Sequence, residues 1–262
     1  MKFHCILIAA FIACASAVAQ VKDGQFAVQS NLRAGVAKVD ITPARVAGVE
    51  TVGHRRVVDG LRDPLRAGVL LLDDGETRAA IVTTDLINVY DPIVKGIRER
   101  IEAKTGTPSA NIMVTASHNH SGPPVKEESG YLLDVIDKIG AAAKRAAADM
   151  RTVNVGYGED EIRFNINRRK VVDGRAVVSL NPEGPNDPRV KVLRFDDGRS
   201  LTPMAVVMHA VCHPCFFTWG DKGTQPYAKG YPKMSADFPG DAQTFVEKNY
   251  DGKTSALFLQ GC

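Results

Sequence analysis

The chain of 262 residues lacks any apolar run of about 20 residues, the length that a helix needs to cross a bilayer. An apolar stretch near the amino terminus, residues 6–15, is too short for that purpose, and no later segment approaches the required length. The sequence therefore predicts no transmembrane segment.

The chain also lacks a marked excess of charge of either sign. Its 33 Lys and Arg residues are nearly balanced by 30 Asp and Glu residues, which gives a net charge of +3. This balance gives no reason to expect a nucleic-acid partner, and the basic runs are too short to indicate a polybasic membrane patch. The hydrophobic fraction of 44% is ordinary for a soluble globular chain.

Cysteine is scarce, with five residues in the chain. Cys5 and Cys14 lie in the first 19 residues, so Cys212, Cys215 and Cys262 are the cysteines of the predicted mature chain. Three cysteines allow at most one internal disulfide bridge, which leaves one thiol unpaired. The sequence is therefore not that of a disulfide scaffold.

The first 19 residues have the pattern of a secretory signal peptide. Lys2 supplies a positive charge, residues 6–15 supply the apolar stretch, and Ala17-Val18-Ala19 fits the small-residue rule for cleavage before Gln20. A competing interpretation makes Cys14 a lipidated cysteine. The predicted location is secreted or periplasmic.

The pattern of apolar residues predicts an α/β fold. Residues 20–33 are polar and aperiodic, which predicts a linker. Up to residue 150, we expect strands at 34–41, 67–72, 79–84 and 111–116, and helices from 91 to about 105 and at 131–150. Beyond it, we expect strands at 153–157, 162–166, 171–172, 176–180, 190–195, 204–209 and 255–259, and a helix at 241–249. A mixed sheet with flanking helices follows, and such sheets carry functional residues beyond the carboxyl ends of their strands.

Two short stretches at strand ends hold most of the histidines. In His118-Asn119-His120 the spacing of two puts both imidazoles on one face if the strand persists. A lone pair of this kind is also consistent with surface loop histidines. The second stretch holds His209 and His213, and His209 is expected to point elsewhere because the strand ends between them. Together the stretches favour a shared zinc site, since zinc prefers imidazole ligands with one position left for water.

Cys212 and Cys215 form a single C-x-x-C motif around His213. A redox pair, a pair of zinc ligands, a local disulfide and plain packing are all consistent with it. Without a second such pair it is weak evidence for structural zinc, and Pro214 together with an exported context favours a disulfide or packing.

Arg168 begins the most concentrated basic run, which continues with Arg169 and Lys170. If the strand predicted at 162–166 extended two residues further, its alternation would turn Arg168 inward, where it could hold a carboxylate or an oxyanion. If the strand ends earlier, Arg168 lies on a solvated turn like its two neighbours. Spacing alone leaves both possibilities open.

Taken in order, a set of short motifs resembles the amino-terminal domain of the neutral/alkaline non-lysosomal ceramidase family. They lie at 34–43 (AGVAKVDITP), 63–65 (DPL), 84–86 (TDL), 115–123 (TASHNHSGP), 167–168 (NR), 212–214 (CHP), 235–240 (SADFPG) and 258–261 (FLQG). The resemblance covers nearly all of residues 34–262. It implies a ceramidase-like catalytic domain that is incomplete within this chain.

The resemblance implies a zinc-dependent hydrolase that cleaves the amide of N-acyl sphingosine or a similar lipid amide. It makes His118 and His213 ligands of one Zn²⁺ ion, and it places His120 and Arg168 beside the metal, where they hold substrate or oxyanion. Two further ligands, a Glu and a Tyr, are expected in sequence beyond Cys262, so the chain alone is expected to be inactive. Where this chain has Asn119, Thr is common, and the residue is expected to face away from the metal without consequence.

Two other functions stay open from the sequence. One is a related hydrolase that acts on a different amide or on an ester, and the other is a binding homologue without turnover. The expected partner is a lipid-like amide, with peripheral contact at a membrane surface as an additional possibility.

Overall fold

The computed structural model describes residues 26–52, 57–126, 129–217 and 233–261. Within them the chain forms twelve β-strands and three α-helices. The strands are β1 (Phe26–Asp40), β2 (Gly60–Leu61), β3 (Arg66–Asp73), β4 (Arg78–Thr84), β5 (Ile112–Ala116), β6 (Arg151–Glu161), β7 (Arg169–Val172), β8 (Arg175–Val178), β9 (Arg189–Asp197), β10 (Pro203–Ala210), β11 (Lys233–Met234) and β12 (Ser255–Gln260). The helices are α1 (Asp91–Thr105), α2 (Gly130–Ala148) and α3 (Asp237–Asn249). The signal peptide predicted at 1–19 lies outside the described residues.

Eight strands form one mixed sheet in the order β12-β10-β9-β6-β1-β3-β4-β5. The five inner pairs are antiparallel, whereas the outermost pairs, β10–β12 and β4–β5, are parallel. A parallel pair needs a crossover connection, and α3 and α1 lie in these two connections. The predicted fold class, a mixed sheet with flanking helices, is confirmed.

The sheet curls until its two outer strands meet. β12 lies against β5 and β4 as well as beside β10. Leu257 on β12 also packs over Gly68 of β3, where a methyl group in place of the glycine hydrogen would lie 3.0 Å from the leucine. The concave side encloses an apolar cluster that includes Leu70, Val153 and Val207. The curl brings the segments that follow β5 and β10 to the same end of the molecule.

Helices α1 and α2 cover the outer face of the sheet. Ile93, Ile97 and Ile101 form the buried stripe of α1, as their spacing of four predicts. Gly106 ends this helix in the left-handed conformation, with φ of 70°. The dipeptide Asp91-Pro92 predicts Asp91 as the N-cap and Pro92 as the first helical residue. That prediction is wrong, because Tyr90 occupies the N-cap position without a side-chain hydrogen bond and Asp91 begins the helix itself. None of the described helices combines the length and apolar character that crossing a bilayer requires.

Several predicted elements differ from the structure. β1 begins at Phe26, so residues 26–33 of the predicted linker belong to the sheet. Helix α3 begins at Asp237, four residues before the predicted start. The strand predicted at 162–166 does not form, because β6 ends at Glu161 and the chain then leaves the sheet. Its irregular path is stabilised instead by Asn165, whose Nδ2 donates to the carbonyl oxygens of Asp187 at 2.9 Å and Val211 at 2.6 Å.

A largely buried ionic network attaches α3 to the sheet. Glu247 of α3 binds Lys38 of β1 at 2.6 Å and Arg66 of β3 at 2.9 Å. Burial lowers the pKa of Lys38, and the neighbouring Glu247 carboxylate opposes that shift. Asp85, at the end of β4, accepts a hydrogen bond from the backbone N–H of Arg66 at 2.8 Å. Burial raises the pKa of Asp85 to about 6, which Arg66 N–H and the charge of Lys38 partly counteract.

Candidate functional site

Two loops bring three histidines together at the seam of the curled sheet. His118 and His120 follow β5, and His213 follows β10. The loops are joined directly, since the backbone N–H of His120 donates to the carbonyl oxygen of Pro214 at 3.2 Å. His118 adopts a positive φ of 64°, an uncommon conformation for a residue with a side chain, and this turn ends the strand direction of β5.

The three imidazoles point toward one another. Their centroids are 4.6–5.0 Å apart, and one ring nitrogen from each lies within 4.8 Å of the others. The Nε2 atoms of His120 and His213 are separated by 3.0 Å, close to the roughly 3.3 Å expected between two nitrogens on one tetrahedral zinc ion. The three histidines can therefore form a metal site. Among the described residues, His209 is not part of this group, as its position predicts.

The protonation states of two histidines suit metal binding. His118 Nδ1 lies 2.7 Å from the carbonyl oxygen of Ile87, a contact that requires the proton on Nδ1 and leaves the Nε2 lone pair available. Such a bond to the backbone is common in metal-binding histidines. Burial, with smaller contributions from His120 and Arg168, lowers the pKa of His213 to about 4. His213 is therefore neutral at pH 7 and retains a lone pair for a cation.

Asn119 holds the first histidine pair in place. Its side chain is fully buried, and it does face away from the imidazoles. Its Nδ2 donates to the carbonyl oxygen of Ser235 at 2.6 Å, and its Oδ1 accepts from the N–H of Ser121 at 2.8 Å. The expectation of an inconsequential side chain therefore overlooked a buried amide with three hydrogen bonds, the third a longer one of 3.4 Å to the carbonyl oxygen of Asp85.

A second set of hydrogen bonds, centred on Asp63 and Asp237, supports the segments around Asn119. Asp63 accepts hydrogen bonds from Ser235 Oγ at 2.6 Å and from the N–H of Ala236 at 2.7 Å. Asp237, buried and at a positive φ of 57°, accepts from the N–H of Phe217 at 3.2 Å in the loop after His213. Two motifs that contributed only to the family resemblance, 63–65 and 235–240, thus form one polar support beneath both histidine loops.

A cavity of about 1240 Å³ opens beside the histidines. His118, His213 and Arg168 line it, together with apolar side chains such as Phe164 and Leu180. Two buried acceptors in its wall, Asn165 Oδ1 and Gln260 Oε1, find no hydrogen-bond partner among the residues that the structure describes. Buried acceptors of this kind are rarely left unpaired, so the wall is suited to a ligand that carries N–H or O–H groups.

Arg168 lies at the site, but the strand alternation that would turn it inward is absent. The strand at 162–166 is absent, and Arg168 lies in the last turn of an irregular segment just before β7. It nevertheless lines the cavity, and it is close enough to His213 to influence the pKa of that imidazole. Arg168 therefore lies at the candidate site although the predicted strand does not form, and its catalytic role stays a prediction.

The cysteine pair lies next to His213 without joining the histidine group. Cys212 and Cys215 are free and buried. Burial raises the pKa of Cys212 to about 12 and that of Cys215 to about 11, so both are neutral thiols at physiological pH. The disulfide alternative is not seen, and packing is the arrangement that the structure has.

No protein-family model matches the chain. The chain is 27% identical over 218 residues to the neutral ceramidase of Pseudomonas aeruginosa, an alignment that covers 76% of this chain and 32% of that protein. The chain thus spans about a third of the length of this relative. The resemblance to neutral ceramidases that the motifs indicated is confirmed over this region.

Two solved structures have the same fold. The crystal structure of neutral ceramidase from Pseudomonas aeruginosa matches with a TM-score of 0.68 at 22% identity, over 87% of this chain and 38% of that one. A ceramidase complexed with C2 matches with a TM-score of 0.69 at 22% identity, over 87% and 37% of the two chains. The fold described above is therefore that of the corresponding part of these proteins.

Proposed function

We propose that residues 34–262 are a ceramidase-like amino-terminal catalytic domain of a zinc-dependent amidohydrolase, which cleaves N-acyl sphingosine or a similar lipid amide. The observation that carries this proposal is the convergence of three imidazoles, two of which, His118 and His213, line a single large cavity together with the Arg168 guanidinium. The sequence likeness to a neutral ceramidase supports the substrate class.

The proposed zinc ligands of this chain are His118 and His213. Their donor chemistry is suited to the ion, since both direct an imidazole nitrogen to the same point. When bound, zinc polarises a carbonyl oxygen and supplies a nucleophile at neutral pH.

The remaining groups of the site act on the substrate. The Arg168 guanidinium, always charged, is positioned to stabilise the negative charge that develops on the amide oxygen. His120, whose Nε2 lies 3.0 Å from that of His213, is the proposed proton carrier to the leaving amine. The orphan acceptors Asn165 Oδ1 and Gln260 Oε1 would orient substrate N–H or O–H groups.

The apolar part of the cavity favours a substrate with a hydrocarbon chain. Phe164, Ile166, Val178 and Leu180 contribute apolar surface to the cavity that His118, His213 and Arg168 also line. An acyl chain against this surface would place its amide carbonyl in the same cavity as these polar side chains. A lipid amide is therefore a better match than a small hydrophilic amide or ester.

The experiment is a hydrolysis assay with the protein purified from its source, before and after removal of zinc with a chelator. N-acyl sphingosine and an aryl ester of similar chain length would be compared. We expect zinc-dependent release of sphingosine, and Arg168→Gln should lower kcat by about 100-fold or more because an oxyanion partner is lost. Faster cleavage of the ester than of the amide would favour the alternative hydrolase. Zinc binding without turnover of either would favour a binding homologue.

We also infer export of the chain, because residues 1–19 have the features of a signal peptide. Mass spectrometry of the mature protein should find Gln20 at the amino terminus. A lipid-modified Cys14 at the amino terminus would instead support the lipoprotein alternative.

A further inference from the structure

A small β-hairpin projects from the edge of the cavity. Among the described strands, β7 and β8 pair with each other alone, as a two-stranded sheet separate from the main one. Asp173 and Gly174 form the two-residue turn between them, both with positive φ, as tight hairpin turns require. We refer to residues 169–178 as the hairpin.

The hairpin exposes a large apolar surface for such a short segment. Val171 is 70% exposed and Val178 is 65% exposed, and Val172 and Val177 are also exposed. Valine in a strand normally packs against a core, because leaving it in water forfeits the free energy of burial. Leu180, just beyond the hairpin, is 60% exposed, which extends the patch. Contiguous exposed patches of this kind mark interaction sites.

Cations alternate with the valines on both faces of the hairpin. The register pairs Arg169 with Val178 and Lys170 with Val177 across the strands, and it pairs Val172 with Arg175 near the turn. Directly opposed residues of a strand pair share a face, so each face presents valine beside a cation.

The charge of the surrounding segment is strongly one-sided. Residues 162–180 contain five Lys and Arg residues and one Asp, in a chain whose net charge is only +3. The basic run 168–170 looked too short for a membrane patch on its own. The fold adds Arg175 from the returning strand and surrounds the cations with exposed valines, which the linear sequence does not reveal.

The position of the hairpin relates it to the cavity. Val178, Ser179 and Leu180 belong to the cavity lining, so the patch is continuous with the entrance to the site. A surface that contacted the hairpin would also face this entrance.

We propose that the hairpin binds the surface of an anionic phospholipid bilayer. Its valines enter the interfacial region, while Arg169, Lys170 and Arg175 contact lipid phosphates. A second copy of the chain is a poorer occupant, because pairing two hairpins would bring two clusters of like charge together. The inference does not depend on the proposed activity, since binding to a bilayer requires neither zinc nor turnover.

The test is sedimentation of the purified chain with vesicles of equal parts phosphatidylglycerol and phosphatidylcholine, and with vesicles of phosphatidylcholine alone. We expect binding to the anionic vesicles that weakens as salt rises. Each cation near such a surface contributes on the order of fivefold in affinity, so Arg169→Gln/Lys170→Gln/Arg175→Gln should weaken binding at least tenfold. Val171→Ser/Val172→Ser should also weaken it several-fold.

Matched control variants lie on the helices. Lys95→Gln/Lys104→Gln/Lys144→Gln removes three exposed cations from α1 and α2, and Leu133→Ser/Phe245→Ser removes two exposed apolar side chains. Both should bind as the parent chain does, and circular dichroism would establish that all variants are folded. Equal binding to neutral vesicles, or equal losses in hairpin and control variants, would overturn the proposal. If the chain associated with itself without vesicles, and Val171→Ser/Val172→Ser abolished that association, the proposal would be overturned. The hairpin would then bind a second copy of the chain.

Discussion

The Nε2 atoms of His120 and His213 lie 3.0 Å apart, although 93 residues separate them in the sequence. Two imidazole nitrogens at this distance repel each other through their lone pairs unless a proton or a cation lies between them. Whether a proton or a metal ion lies between the two nitrogens therefore determines whether His120 binds a metal together with His213.

The first prediction separates the roles of His118 and His120. In the protein purified from its source, His118→Ala should leave the protein poor in zinc, because it removes one of the proposed ligands. His120→Ala should retain zinc with an affinity reduced by about 10–100-fold, the usual effect of losing a group that supports a ligand. Zinc would be counted by atomic absorption, and cobalt substitution would report the ligand set through its visible spectrum. Equal loss of metal in both variants would mean that His120 is itself a ligand.

The second prediction concerns the buried amide of Asn119. Asn119→Ala should lower the free energy of unfolding by about 1–3 kcal/mol, because the N–H of Ser121 would lose its acceptor in the core. Zinc affinity should fall as well, since the neighbouring histidines lose their support. Urea denaturation and zinc titration would measure the two effects. The control is Asn111→Ala, an exposed asparagine with one bond to the carbonyl oxygen of Arg78, for which a change of the same size would count against this role of Asn119.

The third prediction is that Cys212 and Cys215 do not bind the metal. Both thiols are buried, and neither belongs to the group of converging donors. Cys212→Ala/Cys215→Ala should therefore contain as much zinc as the parent protein. A hydrolytic zinc ion also needs one position left open, which thiolate-rich coordination does not offer. Loss of zinc from the double variant would disprove this assignment.

The fourth prediction concerns pH and Asp85. Because burial raises its pKa to about 6, Asp85 contributes stability that is fully present below its unfolded pKa of about 3.9 and is lost as pH rises through about 6. Asp85→Asn removes this titration. The stability of the parent protein relative to the variant should therefore fall by on the order of 2–3 kcal/mol between pH 4 and pH 7.

Urea denaturation at several pH values would measure this difference. Lys38, Asp63 and Arg66 surround Asp85 in both proteins, and taking the difference between parent and variant cancels most of their own contributions. Asp134→Asn, on the exposed side of α2, serves as the control and should show no such pH dependence. A constant difference between parent and Asp85→Asn across this range would contradict the prediction.

Local patterns were sufficient to predict most elements of this fold. The stripe of Ile93, Ile97 and Ile101 predicted α1, and the apolar runs on either side of a tight turn predicted β3 and β4. These predictions depend on side-chain periodicity, which the chain displays directly. The segment 162–166 shows the limit of that reasoning. Its alternation is typical of a strand, yet hydrogen bonds from Asn165 to two distant carbonyl groups hold it outside the sheet.

The sequence predicted the imidazoles of the candidate site, but it did not predict the residues that hold them in place. Histidines at the ends of apolar strands carry a recognisable chemical signal, so His118, His120 and His213 stand out. Asn119, Asp63 and Ser235 act through hydrogen bonds between segments more than a hundred residues apart, and no spacing rule connects them. Asn119 lies beyond β5 in the polar stretch 117–121, so its own surroundings in the sequence give no signal that it is buried. The exposure of the hairpin valines was not predictable either, because their sequence is typical of an ordinary strand.

The meeting of β12 with β5 also determines when the histidines find each other as the chain folds. About 140 residues separate these two strands, and contacts between such distant parts form late because the intervening loop must first be closed. β1, β3, β4 and β5 can assemble earlier through pairings much closer in sequence. A metal ion that arrives during this interval meets only His118 and His120, a pair too small to retain it. Tight zinc binding should therefore appear with the last phase of refolding, which makes the ion a reporter of completed assembly.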